Sequence, residues 1–124
     1  MKILVVDDEH DVKFLFQQKF RKEIKHGDMQ FVFAFSGEEA LELLKSLNQE
    51  AVLILSDINM PGMSGLQLLE RIKTEYKAPP PVVMMITAYG DEQNYTTAKN
   101  LGADDFLTKP VNFSHLKEKL INLI

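Results

Sequence analysis

The sequence predicts a three-layer α/β sandwich, a doubly wound five-stranded parallel sheet with helices on both faces. Five short apolar runs alternate with five stretches of helical periodicity, the pattern that right-handed β-α-β crossovers produce. The runs are apolar almost throughout rather than at every second residue, as strands covered on both faces must be. The 124 residues, 45% of them apolar, suffice for one core and are too few for two domains, so residues 1–124 are read as one unit.

Ile3-Leu4-Val5-Val6 is the first run and stops on Asp7-Asp8-Glu9. From about His10 to Lys25 apolar residues recur near helical spacing at Val12, Leu15, Phe16, Phe20 and Ile24, so one helix is expected, closed by Gly27-Asp28. Lys19, Arg21, Lys22 and Lys25 crowd its end, where cations complement the helix dipole and face solvent. Phe31 to Phe35, rich in aromatics, is the second strand. Ser36-Gly37-Glu38-Glu39 has the form of a capping box, and Ala40, Leu43, Leu44 and Leu47 make the apolar stripe of the helix it opens.

Ala51 to Ser56 is the central strand, and it ends abruptly on Asp57 before a Pro61-Gly62 loop. Ser64 to Gln67 offers a second capping box, with Leu66, Leu69 and Ile72 on one face, and Pro79-Pro80-Pro81 forbids any continued helix. Val82 to Ile86 is the fourth strand, followed by Thr87-Ala88-Tyr89-Gly90-Asp91, with Asp91 as N-cap. The helix from about Glu92 to Leu101 is mostly polar, with only Tyr95, Ala98 and Leu101 apolar, so it should be weakly held and free to move or bind. Asp105 to Thr108 is the last strand, ending at Lys109-Pro110. A final helix from about Phe113 turns Leu116, Leu120 and Leu123 inward.

Composition excludes several classes of function. With no cysteine and three scattered histidines (His10, His26, His115), thiolate or imidazole metal sites are ruled out, so any metal is hard and oxygen-bound. The formal charge of -4 argues against a general nucleic-acid binder, and direct nucleic-acid binding by this domain is not expected. No run approaches 18 apolar residues and no basic-then-apolar leader precedes the first strand, so a soluble, cytoplasmic protein without membrane contact is expected.

In a parallel sheet every strand's carboxyl end lies along one edge, where open α/β sheets place their chemistry. The ends bring together Asp7 and Asp8, Asp57, Thr87 and Lys109. Carboxylates ~4 Å apart repel by about 4 kcal/mol at an effective dielectric of ~20, so these acids cluster only around a cation. Mg²⁺ suits them, since it takes carboxylate and phosphate oxygens and retains water. With Lys109 it would balance the three acids, and a phosphoryl group would upset that balance.

These residues, standing as Val5-Val6-Asp7-Asp8-Glu9, Asp57-Ile58-Asn59-Met60-Pro61-Gly62-Met63-Ser64-Gly65, Thr87-Ala88 and Lys109-Pro110, closely resemble the receiver domain of bacterial two-component response regulators. The resemblance covers essentially the whole chain. It implies the flavodoxin-like strand order 2-1-3-4-5. It implies Asp57 as phosphoacceptor, attacking a phosphohistidine on a sensor histidine kinase or phosphotransfer protein to give an acyl phosphate. It further implies Asp8 and Asp57 as direct Mg²⁺ ligands, Asp7 acting through water, and the backbone carbonyl of Asn59 completing the set. Lys109 would neutralise the transferring group, Thr87 would move to hydrogen-bond it, and small Ala88 would leave access.

Phe106 occupies the aromatic switch position. Lacking a tyrosine hydroxyl, it either switches by packing alone or simply fills the strand's face, and both readings stay open. Asn59 and Tyr89 stand where side chains influence phosphoryl lifetime and coupling. Lys109-Pro110 is expected cis by resemblance, against the general trans preference. The output is a changed surface on the polar fourth helix, last strand and last helix, acting on an unknown target, an effector domain or a phosphorylation-dependent homodimer.

Three other functions fit parts of this pattern. A constitutive docking or dimerisation receiver is disfavoured because every catalytic position is intact. A Mg²⁺-dependent aspartyl phosphohydrolase would want an acid two residues after its nucleophile, where Asn59 stands. A flavin module would need a hydroxyl- and glycine-rich loop after the first strand, where Asp7-Asp8-Glu9 would repel its phosphate.

Overall fold

Each apolar run becomes a strand of one parallel sheet. In the computed structural model, which describes residues 1–47, 53–76, 81–88 and 90–123, these are β1 (Lys2–Val6), β2 (Gln30–Ala34), β3 (Leu53–Asp57), β4 (Val82–Thr87) and β5 (Asp105–Thr108). They pair in the order β2-β1-β3-β4-β5, all neighbours parallel, as expected. β3 is buried at every position, which explains its apolar run Leu53-Ile54-Leu55, followed by buried Ser56 and Asp57. Tyr89, with Ala51, Val52, Pro79 and Pro80, lies outside the described residues, as does the side chain of Leu123.

The helices α1 (Asp11–Lys19), α2 (Arg21–Lys25), α3 (Gly37–Leu47), α4 (Gly65–Glu75), α5 (Glu92–Asn100) and α6 (Phe113–Leu123) cover the sheet. One cluster gathers Leu4, Val6, Ile54, Val83 and Met85 under α3, α4 and α5. A second gathers Ile3, Val5, Leu55, Met84 and Leu107 under Phe16, Phe20, Leu116 and Leu120. Alternate residues of each strand thus feed opposite cores, the period-2 consequence of a sheet covered on both sides.

Sequence and structure differ in three places. The single helix expected from His10 to Lys25 is two, because Phe20 leaves helical geometry (φ -107°, ψ 24°) while its ring stays fully buried. Of the anticipated stripe Phe16 and Phe20 are buried and Val12 packs against them half-buried, whereas Leu15 and Ile24 are 40% and 37% exposed, since the helical period drifts past the width of the contact. The second strand is shifted one residue earlier, at Gln30–Ala34, by its register with β1.

The caps form at all three expected helix starts, but only the one at α4 is a full box; at α3 only the Ser36 half of the expected box is made. Ser64 and Gln67 form a reciprocal box at the start of α4, at 3.2 and 2.9 Å. Ser36 Oγ accepts the Glu39 N–H at 3.1 Å, and Asp91 accepts the Asn94 N–H at 3.2 Å. The polar α5 buries only Ala98.

Candidate functional site

The site is the carboxyl edge of the sheet, where β1 and β3 run side by side and end together, Val6 opposite Ser56. Chain continuation places Asp7 and Asp57 at adjacent strand ends. Carboxylate oxygens of Asp7, Asp8 and Asp57 lie within 4.8 Å of one another. Asp7 and Asp57 are 8% and 3% exposed, whereas Asp8 is half-buried. β4 and β5 supply the other wall. Thr87 pairs with Thr108, and the Lys109 N–H donates to the Thr87 carbonyl at 2.9 Å, holding the start of the Lys109-Pro110 turn beside β4. That peptide bond is cis, as the resemblance implied.

Asp57 is fixed from both sides. Its Oδ2 accepts from Lys109 Nζ at 2.7 Å, and its Oδ1 accepts the Asn59 N–H at 3.3 Å. The second bond brings the Asn59 backbone next to the acceptor, while the residue as a whole stays exposed. Asp7 Oδ1 accepts the Glu9 N–H at 2.9 Å, an Asx turn that aims its carboxylate into the cluster. Thr87 is buried and its Oγ1 donates to the Leu107 carbonyl at 3.4 Å, at the long limit of such a bond.

The electrostatics follow from this crowding. Burial, with the charge of Asp57, lifts the Asp7 carboxyl above its usual value despite the Glu9 N–H and Lys109, which pull it down. Burial alone would lower the Lys109 ammonium; its hydrogen bond and charge contact with Asp57, joined by Asp7 and Glu9, raise it instead. Three clustered carboxylates facing one ammonium form a cation-deficient pocket of hard oxygen donors.

Asp7, Asp8, Asp57 and Lys109 are therefore in one place, with Thr87 at the adjacent strand end and its hydroxyl turned to Leu107. Phe106, by contrast, sits back from the acids on β5, half-buried, with its ring 4.3 Å from that of Tyr95 on α5. Tyr95 thus covers Phe106 from outside.

The sequence reading missed the clamp on the loop after Asp57. Glu38 Oε1 of α3 accepts the Met63 N–H at 3.0 Å, and nothing local in the sequence joins residues 25 apart. Gly65 has a packing role beyond its place in the Asp57–Gly65 motif. Its N–H donates to the Ile58 carbonyl at 2.7 Å, and a Cβ there would run into the carbonyl of Asp57 itself. A glycine just inside a capped helix was the available signal, because helices avoid glycine unless backbone must come close.

The sequence model of the response regulator receiver domain family matches residues 3–121. The chain belongs to this family. A chemotaxis protein CheY homolog of Campylobacter jejuni is 32% identical over 124 residues, covering 100% of this chain and 92% of that protein. The transcriptional regulatory protein CpxR of Escherichia coli K12 is 33% identical over 119 residues, covering 96% of this chain but 47% of its own length. Among solved structures, a response regulator receiver domain protein from Clostridium thermocellum is 28% identical. It superposes with a TM-score of 0.84 over 98% of this chain and 91% of that one. The receiver domain of NtrX from Brucella abortus, 30% identical, gives 0.80 over 97% and 95%. Among its relatives, then, a receiver makes up nearly a whole protein in one and under half of another. As a receiver domain the chain is a signalling switch rather than a metabolic enzyme, and no described helix is long and apolar enough to cross a membrane.

Proposed function

We propose that this receiver is switched by phosphorylation of Asp57. The observation that carries the reading is the pinned, buried Asp57 carboxylate, held between Lys109 Nζ and the Asn59 N–H with two further acids beside it. The donor is a phosphohistidine of a sensor histidine kinase or phosphotransfer protein, in keeping with the regulators it resembles. One Asp57 oxygen attacks phosphorus, the N–P bond breaks, and the imidazole leaves with its electron pair and takes up a proton, giving an acyl phosphate. Lys109, already on Oδ2, follows the charge onto the phosphoryl oxygens, where phosphoryl transfer needs stabilisation.

The donor set fits Mg²⁺. Asp8 and Asp57 would bind it directly, Asp7 through water and Asn59 through its carbonyl; when bound it would neutralise oxygens of the transferring group.

The modification is read out by Thr87 and Phe106. The Thr87 hydroxyl gives up a long bond to Leu107 for a charged phosphoryl oxygen, a stronger acceptor. Its movement vacates space toward Phe106, whose ring repacks with Tyr95 and alters the surface of α5, β5 and α6. The test is intact mass after incubation with acetyl phosphate, with and without Mg²⁺, beside Asp57→Asn. A Mg²⁺-dependent gain of one phosphoryl group, absent from the variant and decaying with time, is expected. No gain under any condition removes Asp57 as an acceptor from small donors.

A further inference from the structure

β2 is an edge strand, pairing with β1 alone. Natural sheets blunt such edges with charge, proline or bulges, yet Gln30–Ala34 contains neither a charge nor a proline, and Phe31, Val32 and Phe33 are only half-buried. Against this edge lies a cleft of about 600 Å³ whose lining includes Phe31 and Phe33 of β2 and Arg21, Ile24 and Lys25 of α2. The two phenylalanine rings stack 6.2 Å apart with 22° between planes, forming an aromatic floor. Gly27, at the cleft's margin, has nothing within 4 Å of where a Cβ would stand.

The cations make the cleft selective. Arg21 and Lys25 are four residues apart on one helix and so share a face. Both are exposed, and neither makes an ion pair among the described residues. A row of unpaired backbone groups, an aromatic floor and two free cations together match an extended segment bearing apolar and acidic side chains. We propose that the β2 edge docks an acidic, apolar segment of a partner protein, which adds to the sheet as a sixth strand.

Charge complementarity favours this occupant over a second copy of the chain. A second β2 strand, Gln30–Ala34, carries no acidic side chain to meet Arg21 and Lys25. The face is also separate from the phosphoacceptor: β1 stands between β2 and β3, and the cleft takes in Gln30 at the amino end of β2, whereas Asp57 closes the carboxyl end of β3. Occupation of one leaves the other open.

The test is amide NMR of the ¹⁵N-labelled full chain, titrated with a capped octapeptide of alternating glutamate and valine and with its lysine-valine counterpart. The glutamate peptide should shift the amides of Gln30–Ala34 and slow exchange on the outward-facing ones; the lysine peptide should do neither. Arg21→Glu with Lys25→Glu should weaken the glutamate peptide at least tenfold and admit the lysine peptide. Arg21→Gln with Lys25→Gln gives the same loss if the reversed pair folds poorly, and retained Asp57 phosphorylation by acetyl phosphate certifies either variant as native. A silent β2, equal binding of both peptides, or binding unchanged in the variants overturns the proposal. So does sedimentation showing the peptide-free chain dimerised with β2 protected, which would give the edge to a second copy.

Discussion

Replacing Asp7 by asparagine keeps an oxygen for the Glu9 N–H and deletes one of three carboxylate charges whose oxygens lie within 4.8 Å of one another. At that separation and an effective dielectric of ~20, each pair repels by about 3.5 kcal/mol. Lys109 and water reaching half-buried Asp8 relieve much of this, leaving a net gain of about 1–2 kcal/mol from the substitution. For a domain of this size that is a rise in Tm of about 4–8 °C. The assay is thermal unfolding followed by circular dichroism in EDTA. Because folding raises the Asp7 carboxyl, the folded state binds more protons than the unfolded one between the ordinary value of 3.8 and the raised one. Wild-type stability therefore falls as pH climbs through that window, and Asp7→Asn should remove that fall. Saturating Mg²⁺ should stabilise the wild type more than the variant. A variant no more stable than wild type in EDTA would refute the claim that the acids are held together against repulsion.

Lys109→Ala removes the ammonium on Asp57 Oδ2 and should slow phosphorylation by acetyl phosphate by about 10²–10³-fold, followed as a mass time course; a rate within threefold of wild type would exclude the assigned role. Ser64→Ala breaks the capping box of α4 and should cost about 1 kcal/mol in urea denaturation, with the slope unchanged. Burial works to raise the Asp105 carboxyl, but the Lys119 ammonium at 2.8 Å and the Phe106 N–H outweigh it and hold the group low. That contribution is present above pH 3.8 and is lost as pH falls through the depressed value, so Asp105→Asn should flatten the acid limb below about pH 4, modestly because the pair is partly solvated.

The comparison of sequence with structure separates local from non-local physics. Ser64-x-x-Gln67 caps its helix because both partners of each bond lie within one turn, and β3 declares itself by an apolar run that only a doubly covered strand tolerates. The break at Phe20 was invisible, since Phe16, Phe20 and Ile24 keep helical spacing across it; the ring's place in the core decides it. The Glu38 clamp on Met63 and the Lys73 ammonium shared by Asp104 and the Pro81 carbonyl likewise join segments with no common local pattern.

By itself, then, the sequence determined that this is an alternating α/β chain, the order of its strands and helices along the chain, and which polar residues interrupt apolar runs at strand ends. Strand order could not be read from periodicity, because strands covered on both faces look alike whichever neighbours they take, and it came only through family resemblance. Tertiary structure decided that β1 and β3 are neighbours, and so that Asp7 and Asp57 share one pocket. It also decided that Lys109, 52 residues away, reaches Asp57 Oδ2. Hydrophobic periodicity records the environment of each residue one turn or one strand at a time, whereas a charge cluster exists only once the register between distant strands is set.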